Sequence, residues 1–306
     1  ALINNNSDHM SEEERKNQGR YLFFTCFQSG MVTSAMFLTS MAPSPMIAEI
    51  ATSFDINLSW WLWAKASIVP GVLTLLLLPL VTLKIFPLNN HLTPKAPLLA
   101  QEKLNEMGRM TLKEWLMIAI FSIVLTLWII GPSIGINSTV AAFIGLSLTL
   151  ATGVLTWKQC LEEHAAWDTF LWLGGLIALG TRLNQSGFFN WLGEIMIQQT
   201  HSFTWPVALT ILGLFYFYSH YIFASMAAHV AAMYSAFLAT LILVGAPPTL
   251  SALVLAFLSA LMGGLTHFSS GSAPAFFSAG FHTTKEWWKA GLIMSLFFLS
   301  IWGVVG

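Results

Sequence analysis

Eight apolar segments divide this chain: 21–51, 61–86, 114–135, 138–155, 167–198, 206–244, 249–282 and 287–306. A helix needs roughly 20 apolar residues to cross the hydrocarbon of a bilayer, and most of these runs reach that length. Charge is correspondingly scarce. The 13 Lys+Arg and 14 Asp+Glu make up 9% of 306 residues, where a soluble domain carries about a quarter. With 56% hydrophobic residues, 13 Trp and 23 Phe, a water-soluble fold would have more apolar side chains than it could cover. The composition therefore excludes a soluble enzyme. A net charge of −1 excludes a nucleic-acid binder, which must neutralise phosphates. Cys26 lies in an apolar run and Cys160 in the connection after 138–155, without partner spacing, so neither a disulfide framework nor a zinc site is encoded. The expected fold class is an all-α polytopic membrane protein.

Three segments depart from a simple crossing. The runs 21–51 and 249–282 are interrupted by proline and small polar residues, and 206–244 is 39 residues long. As one helix it would span roughly 58 Å at about 1.5 Å per residue, so it crosses twice or enters and returns. Ser219, His220, Ser225 and His229 fall near its middle.

Basic residues orient the spans, because cytoplasmic connections are enriched in Lys and Arg. Eleven of the 13 lie in alternate connections: Arg15, Lys16 and Arg20; Lys84, Lys95, Lys103, Arg109 and Lys113; Lys158; Lys285 and Lys289. The connections 52–60, 132–138, 199–205 and 244–249 carry none. The polar stretch 1–20 and the connection 84–113 are therefore expected in the cytoplasm, with 206–244 starting and ending outside.

An internal repeat is visible. Thr39-Ser-Met-Ala-Pro43 matches Ser270-Gly-Ser-Ala-Pro274; a Gly- and Thr-containing stretch precedes each, and a tryptophan pair follows, Trp60-Trp61 and Trp287-Trp288. The orientation makes the two copies inverted, an arrangement that many secondary transporters use to hold substrate near the midplane. The copies divide the chain into 1–86, the later part of a first repeat; 87–113, a cytoplasmic loop; and 114–306, a second repeat. If the copies are equal in length, roughly 120 residues of the first are expected upstream of this sequence.

The breaks are the places that can carry chemistry, since unpaired backbone survives in hydrocarbon only where it lines a cavity or packs in protein. Half-helix N-termini there suit carboxylates. The candidate substrate-binding residues are Thr39, Pro43, Ser225, His229, Ser270, Gly271 and Pro274. An ordinary proline kink is the plain alternative for each break taken singly, and satisfaction of a neighbouring polar group is the alternative for His220 and His229. His267 stands just before the second break. Arg182, within an apolar span, reads better as snorkelling or packing. Asp168 and Glu194 read as solvated, and the tryptophan pairs as interfacial anchors. No Walker loop, nucleophile elbow or HExxH stands in the sequence, so no hydrolytic motor is encoded.

The motifs Val32-Thr-Ser-Ala-Met-Phe-Leu-Thr-Ser-Met-Ala-Pro-Ser44, Phe223-Ala-Ser-Met-Ala-Ala-His-Val230 and Ser270-Gly-Ser-Ala-Pro-Ala-Phe-Phe-Ser-Ala-Gly280 resemble the divalent anion/sodium symporter family. The closer likeness is to its citrate/succinate, tartrate/succinate and 2-oxoglutarate/malate exchanging branch. The resemblance implies two inverted repeats, each with a re-entrant hairpin and an unwound helix, and a homodimer working by an elevator motion. It places the outer hairpin at 206–244 and the unwound helices at 21–51 and 249–282, with the inner hairpin upstream of this sequence. The family's hairpin tips carry Ser-Asn-Thr, which binds substrate carboxylate and helps to hold sodium; here the outer tip is Ser225-Met226-Ala227. The family's Thr-Gly-Pro-x-Pro at the last break is Ser270-Gly271-Ser272-Ala273-Pro274. Serine is kept, whereas the amide and second hydroxyl are gone.

The implied function is secondary transport of di- or tricarboxylates across a bacterial inner membrane, with carboxylate anions and the bilayer as partners. Anion exchange is favoured. Sodium-coupled symport, with sodium near Ser225 and Ser269, and a truncated non-transporting product are the alternatives. No other cofactor is expected.

Overall fold

The computed structural model describes residues 12–88, 96–164 and 204–306, with isolated positions between 166 and 191. In chain order the helices are α1 (Glu12–Met36), α2 (Pro43–Thr52), α3 (Trp60–Ile85), α4 (Ala96–Met107), α5 (Leu112–Ile130), α6 (Ser138–Ala151), α7 (Trp157–Glu162), α8 (Trp205–Ser219), α9 (Met226–Leu243), α10 (Pro248–Leu261), α11 (Ala273–Phe277) and α12 (Thr284–Val304). No strand occurs among the described residues. Among the described residues four helices, α3, α5, α9 and α12, are long and apolar enough to cross a membrane. Contacts divide the chain into two units, one within 3–92 and 175–306 and one within 93–174.

In the first unit α1 begins at Glu12, well inside the stretch that its polarity marks as loop. Glu12, Glu13 and Glu14 fill the first turn, where carboxylates complement the positive end of the helix dipole. Arg20 is anchored by Glu286 at 2.8 Å. Both broken helices are broken as expected. The first run is α1, an irregular stretch 37–42, and α2 opening on Pro43; proline lacks an N–H and has its φ fixed near the helical value, so it is suited to the first position of a helix.

A helix end leaves its last carbonyls unpaired, and α3 supplies the donors for α1. Trp63 Nε1 donates to the Ala35 carbonyl at 2.8 Å, and Ser67 Oγ to the Met36 carbonyl at 2.7 Å. Further along the same interface Thr25 Oγ1 donates to Thr82 Oγ1 at 2.9 Å. The break is thus built into the packing of two helices.

The 206–244 segment is a helix–turn–helix, α8 and α9 joined through a 3-10 turn, His220–Ile222. Fifteen residues of α8 rise about 22 Å at about 1.5 Å each, short of a hydrocarbon core of about 30 Å. A π turn, Val230–Tyr234, interrupts α9. The 249–282 run is α10, a 3-10 turn Met262–Gly264, an irregular stretch 265–272, and the short α11.

One tryptophan pair departs from the anchor reading. Trp61 and Trp288 are exposed, at 54% and 37%, but Trp287 is 0% exposed. Its ring lies 5.0 Å from that of Phe27 and 5.4 Å from that of Phe24. Neighbours on a helix point about 100° apart, so one member of such a pair turns inward to the core.

In the second unit, α5 and α6 pack together. The connection 87–113 contains α4, held along its surface by Lys103–Glu106 at 2.6 Å and Gln101–Asn105 at 3.2 Å, pairs that helical spacing brings together.

Candidate functional site

The second break is a closed knot of backbone and hydroxyls. Ser269 Oγ donates to the carbonyls of Gly263 and Thr266 and accepts from the Thr266 N–H at 3.3 Å. Ser270 Oγ accepts from the N–H of Ala273, the first residue of α11, at 3.2 Å. Ser270 is buried, while Gly271 and Pro274 are exposed. A Cβ on Gly271 would meet nothing within 4 Å. This is the open lip of the break.

Three elements grip that knot. Gln28, midway along α1, donates Nε2 to the Gly264 carbonyl at 2.9 Å. His220, in the hairpin turn, lies 2.8 Å from the Ser269 carbonyl through Nε2; a carbonyl only accepts, so this nitrogen carries the proton. On α12, Gly291 has no Cβ because the carbonyl of Leu265 occupies its place. Gly263 shows the same convergence at one point. A Cβ there would stand 2.7 Å from Met226 Sδ of the hairpin tip, 2.8 Å from Met31 Sδ of α1, and 3.5 Å from Ser270 Cβ.

At the tip, Ser225 is exposed and caps α9, its Oγ accepting from the Ala228 N–H at 3.4 Å. Serine is a favoured N-cap because its oxygen reaches those first unpaired N–H groups. His229 is 0% exposed. Its Nε2 shares a 2.8 Å hydrogen bond with Ser219 Oγ, and its ring packs on Tyr216 at 4.5 Å and Phe223 at 4.8 Å. His220 and His229 stand edge to face, 5.2 Å apart. The two histidines link the hairpin's arms and tie its turn to the break.

At the first break, Thr39 Oγ1 accepts from Trp60 Nε1 at 3.3 Å, and Phe37 stacks on that indole at 5.8 Å. Pro43 is buried at the first position of α2, which has no side-chain cap. Next to it Ser44 Oγ is buried with no hydrogen-bond partner among the described residues. The helix packs against the π turn of α9 and against α10, which brings the first break's second half to the hairpin. The two breaks share a device: Trp288 Nε1 donates to His267 Nδ1 at 3.0 Å, as Trp60 does to Thr39.

The structure therefore sets Ser225, His229, Ser270 and Gly271 on elements that meet around Gly263, with Pro43 on a helix packed against the same hairpin. Arg182 is exposed and donates to Gln185 at 3.2 Å. Asp168, Glu194 and the connection 199–203 lie outside the described residues. Sequence reasoning missed Gln28, Ser44 and the coupling role of His220. A lone amide in an apolar run was the available signal for Gln28, since buried polar groups in spans are costly unless used.

Sodium was placed near Ser225 and Ser269. Hard cations of this kind take about five or six oxygens (extended from calcium and magnesium). Ser269 Oγ is engaged with the backbone of Gly263 and Thr266, and Ser225 Oγ caps α9, so a cation here would draw most of its oxygens from backbone carbonyls. Met226, where the family tip has an amide, turns its sulfur to Gly263.

Apolar spanning helices around two broken helices and a helix–turn–helix tip define a multi-pass membrane protein of transporter architecture. The chain belongs to the family described as the sodium:sulfate symporter transmembrane region, whose model matches residues 2–306. It is 44% identical over 291 residues to dicarboxylate transporter 1, chloroplastic, of Arabidopsis thaliana, covering 94% of this chain and 52% of that protein. A Bacillus subtilis (strain 168) protein provisionally named a malate transporter is 46% identical over 289 residues, 94% of this chain and 60% of its own length. Dicarboxylate transporter 2, chloroplastic, of Spinacia oleracea is 41% identical over 298 residues, 96% and 53%. The chain thus spans little more than half the length of these relatives.

Proposed function

We propose that this chain is the substrate-handling part of a secondary transporter for di- and tricarboxylate anions, working by exchange of one carboxylate for another. The observation that carries the reading is the meeting of hairpin tip, α1 and second break at Gly263. The names of the relatives, dicarboxylate and malate transporters, support the substrate class and point away from an enzyme.

In this reading one carboxylate of the substrate faces the Ser225 hydroxyl and the backbone at Ser270–Gly271, with Pro274 shaping the lip. The other faces Thr39 and the uncapped N-terminus of α2 at Pro43, where a helix end offers about half a positive charge. His229 acts from behind, holding the tip through Ser219. No lysine or arginine belongs to this set. The 1–86 and 114–306 halves are inverted repeats, α8–α9 is a re-entrant hairpin entered from outside, and the Arg20–Lys84–Lys289 end faces the cytoplasm of a bacterial cell. Two copies form the working dimer. Sodium-coupled symport is the second reading; the description of the family favours it.

The test is uptake of labelled malate into proteoliposomes holding the complete gene product, with succinate, citrate and sulfate as competitors. Succinate is expected to compete and sulfate to leave uptake unchanged. Equal competition by sulfate would contradict the carboxylate reading.

A further inference from the structure

Away from the two breaks, the first unit holds a cavity of about 740 Å³ between the ends of α1, α3 and α12, lined by Asn17, Arg20, Lys84, Glu286 and Lys289 among others. Its charges are not evenly paired. Arg20 is fully committed: it meets Glu286 at 2.8 Å, the Phe281 carbonyl at 3.0 Å and Asn17 Oδ1 at 3.3 Å. Glu286 is committed as well, since it also accepts from the Thr283 N–H at 2.8 Å and the Thr283 hydroxyl at 2.9 Å. It therefore has little capacity left to neutralise the two ammonium groups. Lys84 and Lys289 have no ion pair among the described residues, and they stand on different helices around one space. Two unpaired cations at a cavity repel each other and attract an anion that bridges them.

The residues beneath the lysines say what kind of anion. Helical neighbours three, four and seven positions away share a face. On α3 those below Lys84 are Leu80 and Leu77, exposed at 59% and 37%. On α12 those below Lys289 are Ile293 and Leu296, exposed at 37% and 57%. Each lysine thus heads an apolar strip running down a helix that is long and apolar enough to span. A soluble anion has no use for two such strips. A lipid does, with its headgroup at the cations and its acyl chains along the strips.

We propose that this cavity binds the phosphodiester of an anionic phospholipid, with Lys84 and Lys289 holding the phosphate oxygens and Arg20 and Glu286 forming a fixed floor. Basic pockets between spanning helices are suited to such headgroups, and each lysine near an anionic surface contributes about fivefold in affinity. The pair together should contribute about 25-fold.

Native mass spectrometry of the complete gene product, titrated with phosphatidylglycerol or phosphatidylcholine, tests this. The expected result is one tightly retained phosphatidylglycerol, displaced neither by phosphatidylcholine nor by inorganic phosphate. K84Q/K289Q should retain it about 25-fold more weakly, each single change about fivefold more weakly, and K84R/K289R as well as the unaltered protein. Both lysines are exposed, so the variants are expected to elute as the folded species in size exclusion. Equal retention of both lipids, or no effect of K84Q/K289Q, would overturn the proposal. Displacement of the lipid by inorganic phosphate, together with lysine-dependent phosphate binding in its absence, would overturn it in favour of a free-anion site.

Discussion

Gln28 Nε2 and the carbonyl oxygen of Gly264 are 2.9 Å apart, fully buried, and 236 residues apart in sequence. The bond ties the middle of the helix that leads into the first break to the turn that leads into the second. Neither group has water to fall back on, so the pairing sets how the two broken helices face each other. The remaining oxygen of the same amide, Oε1, is buried without a partner among the described residues.

Replacing Gln28 by leucine should leave the Gly264 carbonyl unpaired at a cost of about 1–3 kcal/mol. That corresponds to a fall in melting temperature of about 3–10 °C, measured by thermal shift in detergent. Transport should fall further than stability alone accounts for, because the geometry of the breaks is lost. An unchanged melting temperature would show that the bond contributes nothing.

Three glycines separate fold from function. Gly291→Ala drives a Cβ into the Leu265 carbonyl, backbone that cannot step aside, and should destabilise by about 3 kcal/mol. Gly30→Ala meets nothing within 4 Å and should be neutral or stabilising by up to about 1 kcal/mol, the helix-propensity difference. Gly271→Ala also meets nothing, so the protein should fold as before, while uptake should drop because the proposed site brings substrate to that lip. Full uptake in Gly271→Ala would remove Gly271 from the site.

Ser225 has two roles that one pair of variants resolves. Ser225→Ala removes the cap on α9 and should cost about 1 kcal/mol as well as substrate affinity. Ser225→Asp keeps the cap, because aspartate is as good an N-cap, but sets a negative charge against an anionic substrate. It should melt within about 2 °C of the unaltered protein and transport nothing. Transport by Ser225→Asp would place the substrate elsewhere.

Much of this arrangement was legible in the sequence because prolines announce themselves. Pro43 and Pro274 suit the first turn of a helix and not its middle, and the matched small residues around them marked both breaks. The length of 206–244 required a turn, and the turn fell where Ser219 to Ser225 interrupt the apolar run. What pattern could not give is contact. Gln28 and Gly264 lie in different apolar runs, and no periodicity links them. The polar start of α1 also misled: its charge looks like solvated loop, yet Arg20 is anchored to Glu286 across the fold. Trp287 was hidden for the converse reason, since a tryptophan beside a helix start looks the same whether it faces lipid or core.

Orientation rests on the basic residues. With Cys26 and Cys160 replaced by serine, a cysteine at Lys103 should resist a membrane-impermeant maleimide added to intact cells, and one at Ser202 should react. The reverse pattern would invert the topology.

Counterflow in proteoliposomes holding the complete gene product tests the central claim most directly. Vesicles loaded with unlabelled malate should accumulate labelled malate or succinate, empty vesicles should accumulate almost none, and replacing external sodium by potassium should change little. The proposal of exchange rests on the tip Ser225-Met226-Ala227, which offers a cation fewer side-chain oxygens than Ser-Asn-Thr would. Steep sodium dependence, with uptake into vesicles that contain no carboxylate, would contradict exchange.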